Sequence, residues 1–514
     1  MWLELLLFFI AVWLLCKLYF NDFKYWEQKG FPHVKGKFPF GSQANIVLMS
    51  QYFGEMYQQV YNKLDPHPFG GIYEIRIREL ILRDPEIIKK ILIKDFAHFT
   101  SRNNSPAAGF LQKHLFNAEG DLWRALRTKL TPTFTSGKLK AMFNLFKECS
   151  TKLDEHFKQL ADNEENIDVK DWMSRFTTDI ICTCAFGLET NSLDKPDNKL
   201  NQLGQTIFKP FPLKVILLRL LLFTIPYIRK LTKFRLDSKE LEIDLLKIIT
   251  DTVTYREQNN IRRNDFLDLL IDIMNNDNLS IDGKLGKHVS EHQHESADNL
   301  KMDLKLMTAQ SFVFFAAGFE TSSSVQANCL YELALNQEIQ DKLRDEIDKV
   351  LKNYNGEITY QGLQEMPYLE QVIFETMRKY PTLPFLNRLC TKDYQIPETN
   401  LVIDKGTRII VPVYALHHDP KFYPDPDKFI PERFAPENKS SIPSCAYLPF
   451  GEGPRICIGM RFGLLQTKTG IVTTLSKYKL LKTDDTPERL SFEPASIITK
   501  VKEKISLKIV NRGN

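Results

Sequence analysis

The sequence predicts a mainly α-helical protein with small β-sheets, folded as one large domain behind an N-terminal transmembrane helix. Three observations predict it. Residues 43 to about 380 carry chiefly helical periodicity, residues beyond 380 turn to prolines and short strands, and the first twenty residues hold a nearly unbroken apolar run. The 514 residues are 43% hydrophobic and 26% charged, as in an ordinary folded protein able to bury a sizeable core. A net charge of +4 is too small for this length to imply nucleic acid, so any basic partner surface is local.

The chain opens with MWLELLLFFIAVWLLCKLYF. Its apolar run from Leu5 to Cys16 reaches about 18 residues with Lys17 snorkelling, close to the ~20 that span a bilayer. Glu4 near the start and the lack of an A-x-A site favour an uncleaved anchor over a signal peptide. Lys17, Lys24, Lys29, Lys35 and Lys37 follow the span and leave the rest of the chain on the cytosolic side. Trp2, Trp13, Tyr19, Tyr25 and Trp26 suit the membrane interface. The expected organisation is residues 1–20 as anchor, 21–42 as a linker punctuated by proline and glycine, and 43–514 as the globular domain.

Within the body, GIYEIRIRELILRD (71–84) suits two strands joined by a turn. The apolar segment 206–234 is too broken by Lys209, Pro210, Lys214, Arg219 and Pro226 to span a membrane; an interfacial segment and a buried helix pair fit it equally. Residues 275–299 lack periodicity and read as a surface loop whose His288, His292 and His294 are solvated. After 380, TRIIVPVY (407–414) reads as a strand, HHDPKFYPDPDKF (417–429) as turns, and about 458 to 475 as a last helix. The eight cysteines have no paired spacing, which suits a reducing compartment.

One of them stands apart. PFGEGPRICIGMRFG (449–463) matches F-x-x-G-x-x-x-C-x-G at Phe450, Gly453, Cys457 and Gly459, a pattern expected by chance in about one such sequence in a thousand. Glycines, Gly451 among them, let backbone pass flat against something large. A helix starting beside the sulfur aims amide N–H groups at it and favours thiolate. One thiolate without neighbouring Cys or His excludes structural zinc and iron–sulfur clusters. A metal that brings its own equatorial ligands, haem iron foremost, remains, with Arg455 placed to pair with a propionate. A nucleophilic cysteine is the competing reading, without a histidine nearby to support it.

The stretch resembles the cytochrome P450 family of haem-thiolate monooxygenases. In EQVIFETMRKYP (370–381), Glu375 and Arg378 lie three apart on one helical face, where the family carries E-x-x-R. PERF (431–434) is similar to its next motif, whose Arg433 implies a buried Glu–Arg–Arg cluster. AGFETS (317–322) matches [AG]-G-x-[DE]-T-[TS]: the small residues Ala316, Ala317 and Gly318 allow a ligand close to the backbone. By the resemblance Thr321 orders water at the oxygen site and Glu320 relays protons. Trp123 and Arg127, at i and i+4, match the family's propionate-binding pair; Arg388 and, more weakly, Arg102 occupy further propionate positions.

The resemblance covers nearly the whole chain and implies the P450 fold, with Cys457 as axial ligand of a haem b iron and Arg455, Trp123, Arg127, Arg388, Phe450, Gly451 and Gly459 around the cofactor. It also implies a microsomal enzyme on the endoplasmic reticulum membrane, with its catalytic domain in the cytosol and lipophilic small molecules as substrates. The chain carries no dinucleotide or flavin module, so NADPH–cytochrome P450 reductase is the implied electron donor, with cytochrome b5 as a second donor and Arg461 and Lys468 as docking cations. Phe110, Phe208, Phe211, Phe312, Phe315, Leu383, Phe385, Ile497 and Ile498 are the pocket candidates. FGLETNSL (186–193), AGFETSSS (317–324) and the cysteine stretch look most like insect xenobiotic-metabolising members. A haem-thiolate isomerase or dehydratase and a non-catalytic haem sensor stay open as alternatives.

Overall fold

The structure, a computed structural model, describes residues 22–512 apart from 43, 103–108, 199–201, 205–206, 208–238, 276–300 and 495, together with 2, 5, 6, 9, 10 and 17. The segment 206–234, almost entirely, the three loop histidines, Phe208 and Phe211, and most of the anchor lie outside the described residues. No helix among the described residues is long and apolar enough to cross a membrane.

Helices dominate, as their periodicity requires: α1 (Phe53–Lys63), α2 (Gly120–Leu130), α3 (Ser136–Asp162), α4 (Val169–Ala185), α5 (Lys239–Asn259), α6 (Phe266–Asn275), α7 (Leu304–Leu335), α8 (Gln337–Asn353), α9 (Pro367–Lys379) and α10 (Met460–Lys477). Aspartates set two of the starts that matter for the site. Asp168 accepts from the backbone N–H of Lys170 (3.1 Å) and begins α4. Asp303 accepts from that of Leu306 (2.7 Å) and begins α7.

The strands are β1 (Phe69–Glu74), β2 (Ile77–Leu82), β3 (Asn166–Asp168), β4 (Leu386–Leu389), β5 (Tyr394–Gln395), β6 (Val402–Ile403), β7 (Arg408–Val411), β8 (Tyr478–Lys482) and β9 (Ser506–Asn511). The main sheet has the order β1-β2-β7-β4; β1 and β2 form the hairpin expected from residues 71–84, and β2 runs parallel to β7 with Leu80 opposite Ile409. The parallel pair ties the N-terminal part of the body to the proline-rich part.

Two large apolar cores result. One lies among the helices and contains α7; the other lies under the main sheet. The cysteine stretch crosses the seam, with Leu448 buried in the sheet-side core and Phe450 packed against the helical one.

Residues 22–42 are not a free linker. Trp26 is fully buried, its indole Nε1 donates to the Ile72 carbonyl (3.0 Å), and a Cβ on Gly71 would fall 2.2 Å from its ring. Tyr25 donates to Asp404 (2.8 Å), and His33 bridges to Gly71. The interfacial places expected for Tyr25 and Trp26 are thereby corrected. Sequence near an apolar anchor suggests lipid, but an indole with an apolar body and one donor is equally served by a sheet face with a free carbonyl.

Candidate active site

Between its two ends, helix α7 is buried all round except along Val313, Phe314, Ala317, Gly318 and Thr321, which are half-buried or exposed. Val313, Ala317 and Thr321 lie four apart and form one stripe in the middle of a core helix. The Thr321 hydroxyl donates back to the Ala317 carbonyl (2.5 Å), so the stripe presents a hydroxyl oxygen with its proton already held. The adjoining Glu320 points elsewhere. Its Oε1 accepts from Lys170 Nζ at the start of α4 (2.8 Å), and that ammonium also donates to Ser323 (3.1 Å) and Ser324 (2.9 Å). Lys170 is a partner the sequence alone did not suggest.

Gly318 does not provide clearance for a ligand, as expected from the sequence. A Cβ there would fall 2.2 Å from Ile181 Cδ1, so the glycine lets α7 and α4 approach each other, and the open side belongs to Ala317. Phe315 is likewise core, wedged beside Phe186 and Phe319 with no exposure. Phe312 is buried near His114. Ile497 stands half exposed at the tip of a hairpin closed by the Phe492–Val501 bridge, which forms without a glycine turn.

Cys457 sits between a short 3-10 turn (Gly453–Arg455) and α10, whose N-cap is Gly459. Its amide donates to the Phe450 carbonyl (2.9 Å), closing the loop. Glycine is demanded by the backbone at Gly453, where φ is +74° and a Cβ would lie 2.0 Å from the Leu92 carbonyl oxygen, and at Gly451, where φ is +73°. Gly459 has neither demand; the nearest atom to a Cβ there, on Phe134, is 3.9 Å away. Phe134 also meets Phe314 (5.7 Å between ring centroids), which joins the cysteine loop to the open stripe of α7.

Cys457 is exposed, unlike the other described free cysteines, yet burial is the main influence on its thiol and pushes the pKa up, against the Gly459 N–H and the charges of Arg127 and Arg102. The sulfur faces open space on its accessible side, while protein packs its other sides closely enough to make its charge costly.

Four guanidiniums surround that space. Arg102 donates to the Arg455 carbonyl (3.1 Å) and Arg127 to the Ile456 carbonyl (2.9 Å), the two residues before the sulfur. Arg455 donates to the carbonyls of Thr100 (3.1 Å) and Ala118 (2.9 Å) and lies 4.2 Å over the Trp123 ring. Arg388, on β4, donates to the Asn387 carbonyl (2.8 Å). None of the four has a carboxylate within ion-pair distance among the described residues, and Arg388 Nε and Arg455 Nη1 are buried without a hydrogen-bond partner.

Their pKa values record this. Burial and then the neighbouring arginines lower Arg388 well below its ordinary value; burial first, then Arg102, brings Arg455 to about 9. Burial brings Arg102 to about 10, although a thiolate at Cys457 favours its charge. Buried cations that repel one another persist where anions are supplied from outside the chain. A thiol ligand beside orphaned guanidinium donors fits a haem with two propionates.

The Glu–Arg–Arg cluster stands behind this site. Arg378 donates to both oxygens of Glu375 (2.7 and 2.9 Å), both side chains are fully buried, and Arg433 adds a 3.4 Å contact. The cluster touches neither the thiol nor the four arginines; it braces the backbone at His417, Pro426, Lys428 and Ile430. Of the docking cations, Arg461 is exposed, but Lys468 is not: its Nζ is buried against the Leu363 carbonyl (3.2 Å) and Glu370 (3.1 Å). Lysine defaults to the surface, and α10 runs through the core.

A family profile described as cytochrome P450 matches residues 39–509. Cytochrome P450 6a2 of Drosophila melanogaster is 38% identical over 498 residues, covering 94% of this chain and 95% of its own. Cytochrome P450 6k1 of Blattella germanica is 37% identical over 497 residues, covering 95% and 93%.

Proposed function

The chain belongs to the cytochrome P450 family and is a haem-thiolate monooxygenase, and from that premise we propose that it oxygenates lipophilic small molecules at the space between Cys457 and the open stripe of α7. Electrons come from NADPH through NADPH–cytochrome P450 reductase, with cytochrome b5 as a second donor, on the cytosolic side of the endoplasmic reticulum membrane. The substrates are xenobiotics such as plant toxins or insecticides, or an endogenous hormone or lipid. The observation that carries the reading is an accessible thiol beside four buried or half-buried arginines with no carboxylate within ion-pair distance among the described residues.

Bound haem supplies a thiolate-ligated iron that activates dioxygen for insertion into unactivated C–H bonds. The chain does the rest. Cys457 would be the ligand; the Gly459 N–H and the charges of Arg127 and Arg102 work toward its anion, against the burial that raises its pKa. Arg388 and Arg455 would hold propionates with the donors left unmatched among the described residues, and Trp123 backs Arg455. Thr321 holds a proton at Oγ1 beside the substrate space. Glu320 is the relay: its carboxylate must leave Lys170, take up a proton from solvent and pass it toward Thr321.

Reconstitution with reductase and NADPH tests the reading directly: an oxygenated product from a lipophilic substrate is expected, and product formed without NADPH or dioxygen would point to an isomerase or dehydratase instead. In the same assay Thr321→Ala should consume NADPH at a near-normal rate while product per NADPH falls by about tenfold or more, with hydrogen peroxide released in its place. Full coupling in that variant would remove Thr321 from proton delivery.

A further inference from the structure

We propose that His417 is a positioning residue that carries the rigidity of the Glu375–Arg378–Arg433 cluster into the loop that presents Cys457. Two hydrogen bonds meet on this one buried residue. Arg378 Nη1 donates to the His417 carbonyl (2.9 Å), and the backbone N–H of Leu448 donates to the His417 ring at Nε2 (2.9 Å). Two residues after Leu448, the Phe450 carbonyl receives the Cys457 amide, and the Gly451 amide returns to the Leu448 carbonyl (3.1 Å). The route from the carboxylate of Glu375 to the cysteine loop is thus continuous.

The ring is fixed from its sides as well. It stacks on Tyr447 (5.2 Å between centroids, 26° between planes) and meets the edge of Tyr423. Tyr447 donates to the Phe374 carbonyl (2.8 Å) on α9, and Tyr423 to the Ala446 carbonyl (3.2 Å), two residues before Leu448. The bond to Leu448 requires an unprotonated Nε2. Burial, then the charges of His418 and Arg378, lower the His417 pKa and keep the ring neutral, and the Leu448 N–H then selects the tautomer with its proton on Nδ1, a buried atom with no hydrogen-bond partner among the described residues. A buried amide bonded to an imidazole two residues from the loop closure is a local constraint; without an acceptor there, the amide is an unsatisfied buried donor and the segment 446–450 shifts to find another.

The proposal rests on Cys457 as the thiolate, and it is tested in the haem-loaded, full-length protein. His417→Phe keeps a ring but removes the acceptor, whereas His417→Gln restores an acceptor oxygen near the place of Nε2. The phenylalanine variant should lose most of the red-shifted Soret band of the reduced, CO-treated protein in favour of the band seen when thiolate is lost, and the glutamine variant should keep it. Exchange of the Leu448 amide should accelerate by about tenfold or more in the phenylalanine variant and stay near wild type in the glutamine one. Should His417→Phe not fold, the wild-type protein decides: the Leu448 amide should be as protected as the amides of α9. The idea is overturned by a full thiolate band with unchanged Leu448 exchange in His417→Phe, by equal loss in both variants, or by rapid Leu448 exchange in the wild type. Failure of the Cys457 assignment looks different, because Cys457→Ala would then keep its band.

Discussion

Cys457→Ala is expected to abolish the red-shifted Soret band of the reduced, CO-treated protein and to reduce NADPH-dependent oxygenation to background. The variant should remain folded. The Cys457 side chain is exposed into the site, so its removal opens no hole in either core, and the cost in stability should stay within about 0.5 kcal/mol. The Arg102 and Arg127 bonds run to the carbonyls of Arg455 and Ile456, not to the sulfur, and survive the change. The variant should therefore retain wild-type helicity and a wild-type melting profile in the haem-free state. A persisting thiolate band would falsify the ligand assignment, and a general loss of structure would show that the loop depends on the sulfur itself.

Arg378→Met should have the opposite profile, with the site chemically intact and the fold lost. Methionine fills much of the same volume, but Glu375 is left as a fully buried carboxylate with the Ile430 N–H (2.9 Å) and a 3.4 Å contact to Arg433, and the carbonyls of His417, Pro426 and Lys428 lose a donor. Breaking a buried pair from one side costs about 3–5 kcal/mol. Against a typical total of about 5–15 kcal/mol this removes a large share of the stability. Little soluble protein and little haem per polypeptide are expected. Glu375→Gln added to Arg378→Met should recover part of the loss, since the uncompensated charge is then gone. A single variant that binds haem stoichiometrically and melts like wild type would show the cluster to be dispensable.

The parts of the site that sequence disclosed are those whose chemistry is local along the chain. The loop around Cys457 and the pair Glu375–Arg378 are written within ten or four consecutive residues, and the helical period alone puts the second pair on one face. Lys170 was invisible because its partner lies 150 residues away and a lysine at a helix start ordinarily faces water. Arg102 drew the least weight of the propionate candidates, yet its guanidinium bonds to the cysteine loop. Where sequence and structure differ, the cause is a residue type that serves two environments. The sequence suggests room for a ligand at Gly318, which is room for Ile181; a membrane place for Trp26, which is core; and a surface place for Lys468, which is buried.

The parallel pairing of β2 with β7 also has a consequence in time. Its partners, such as Leu80 and Ile409, are roughly 330 residues apart in the chain. At about 5–20 residues per second, a ribosome needs about 16–66 seconds to deliver the second strand after the first has emerged. Throughout that interval β2 offers its β7-facing edge to other chains. Cys457 emerges later still, so the cofactor cannot recruit its ligand until after both strands of this pair have been made. Newly made chains therefore depend on protection of one strand edge during synthesis, and haem supply controls only the last step of their maturation.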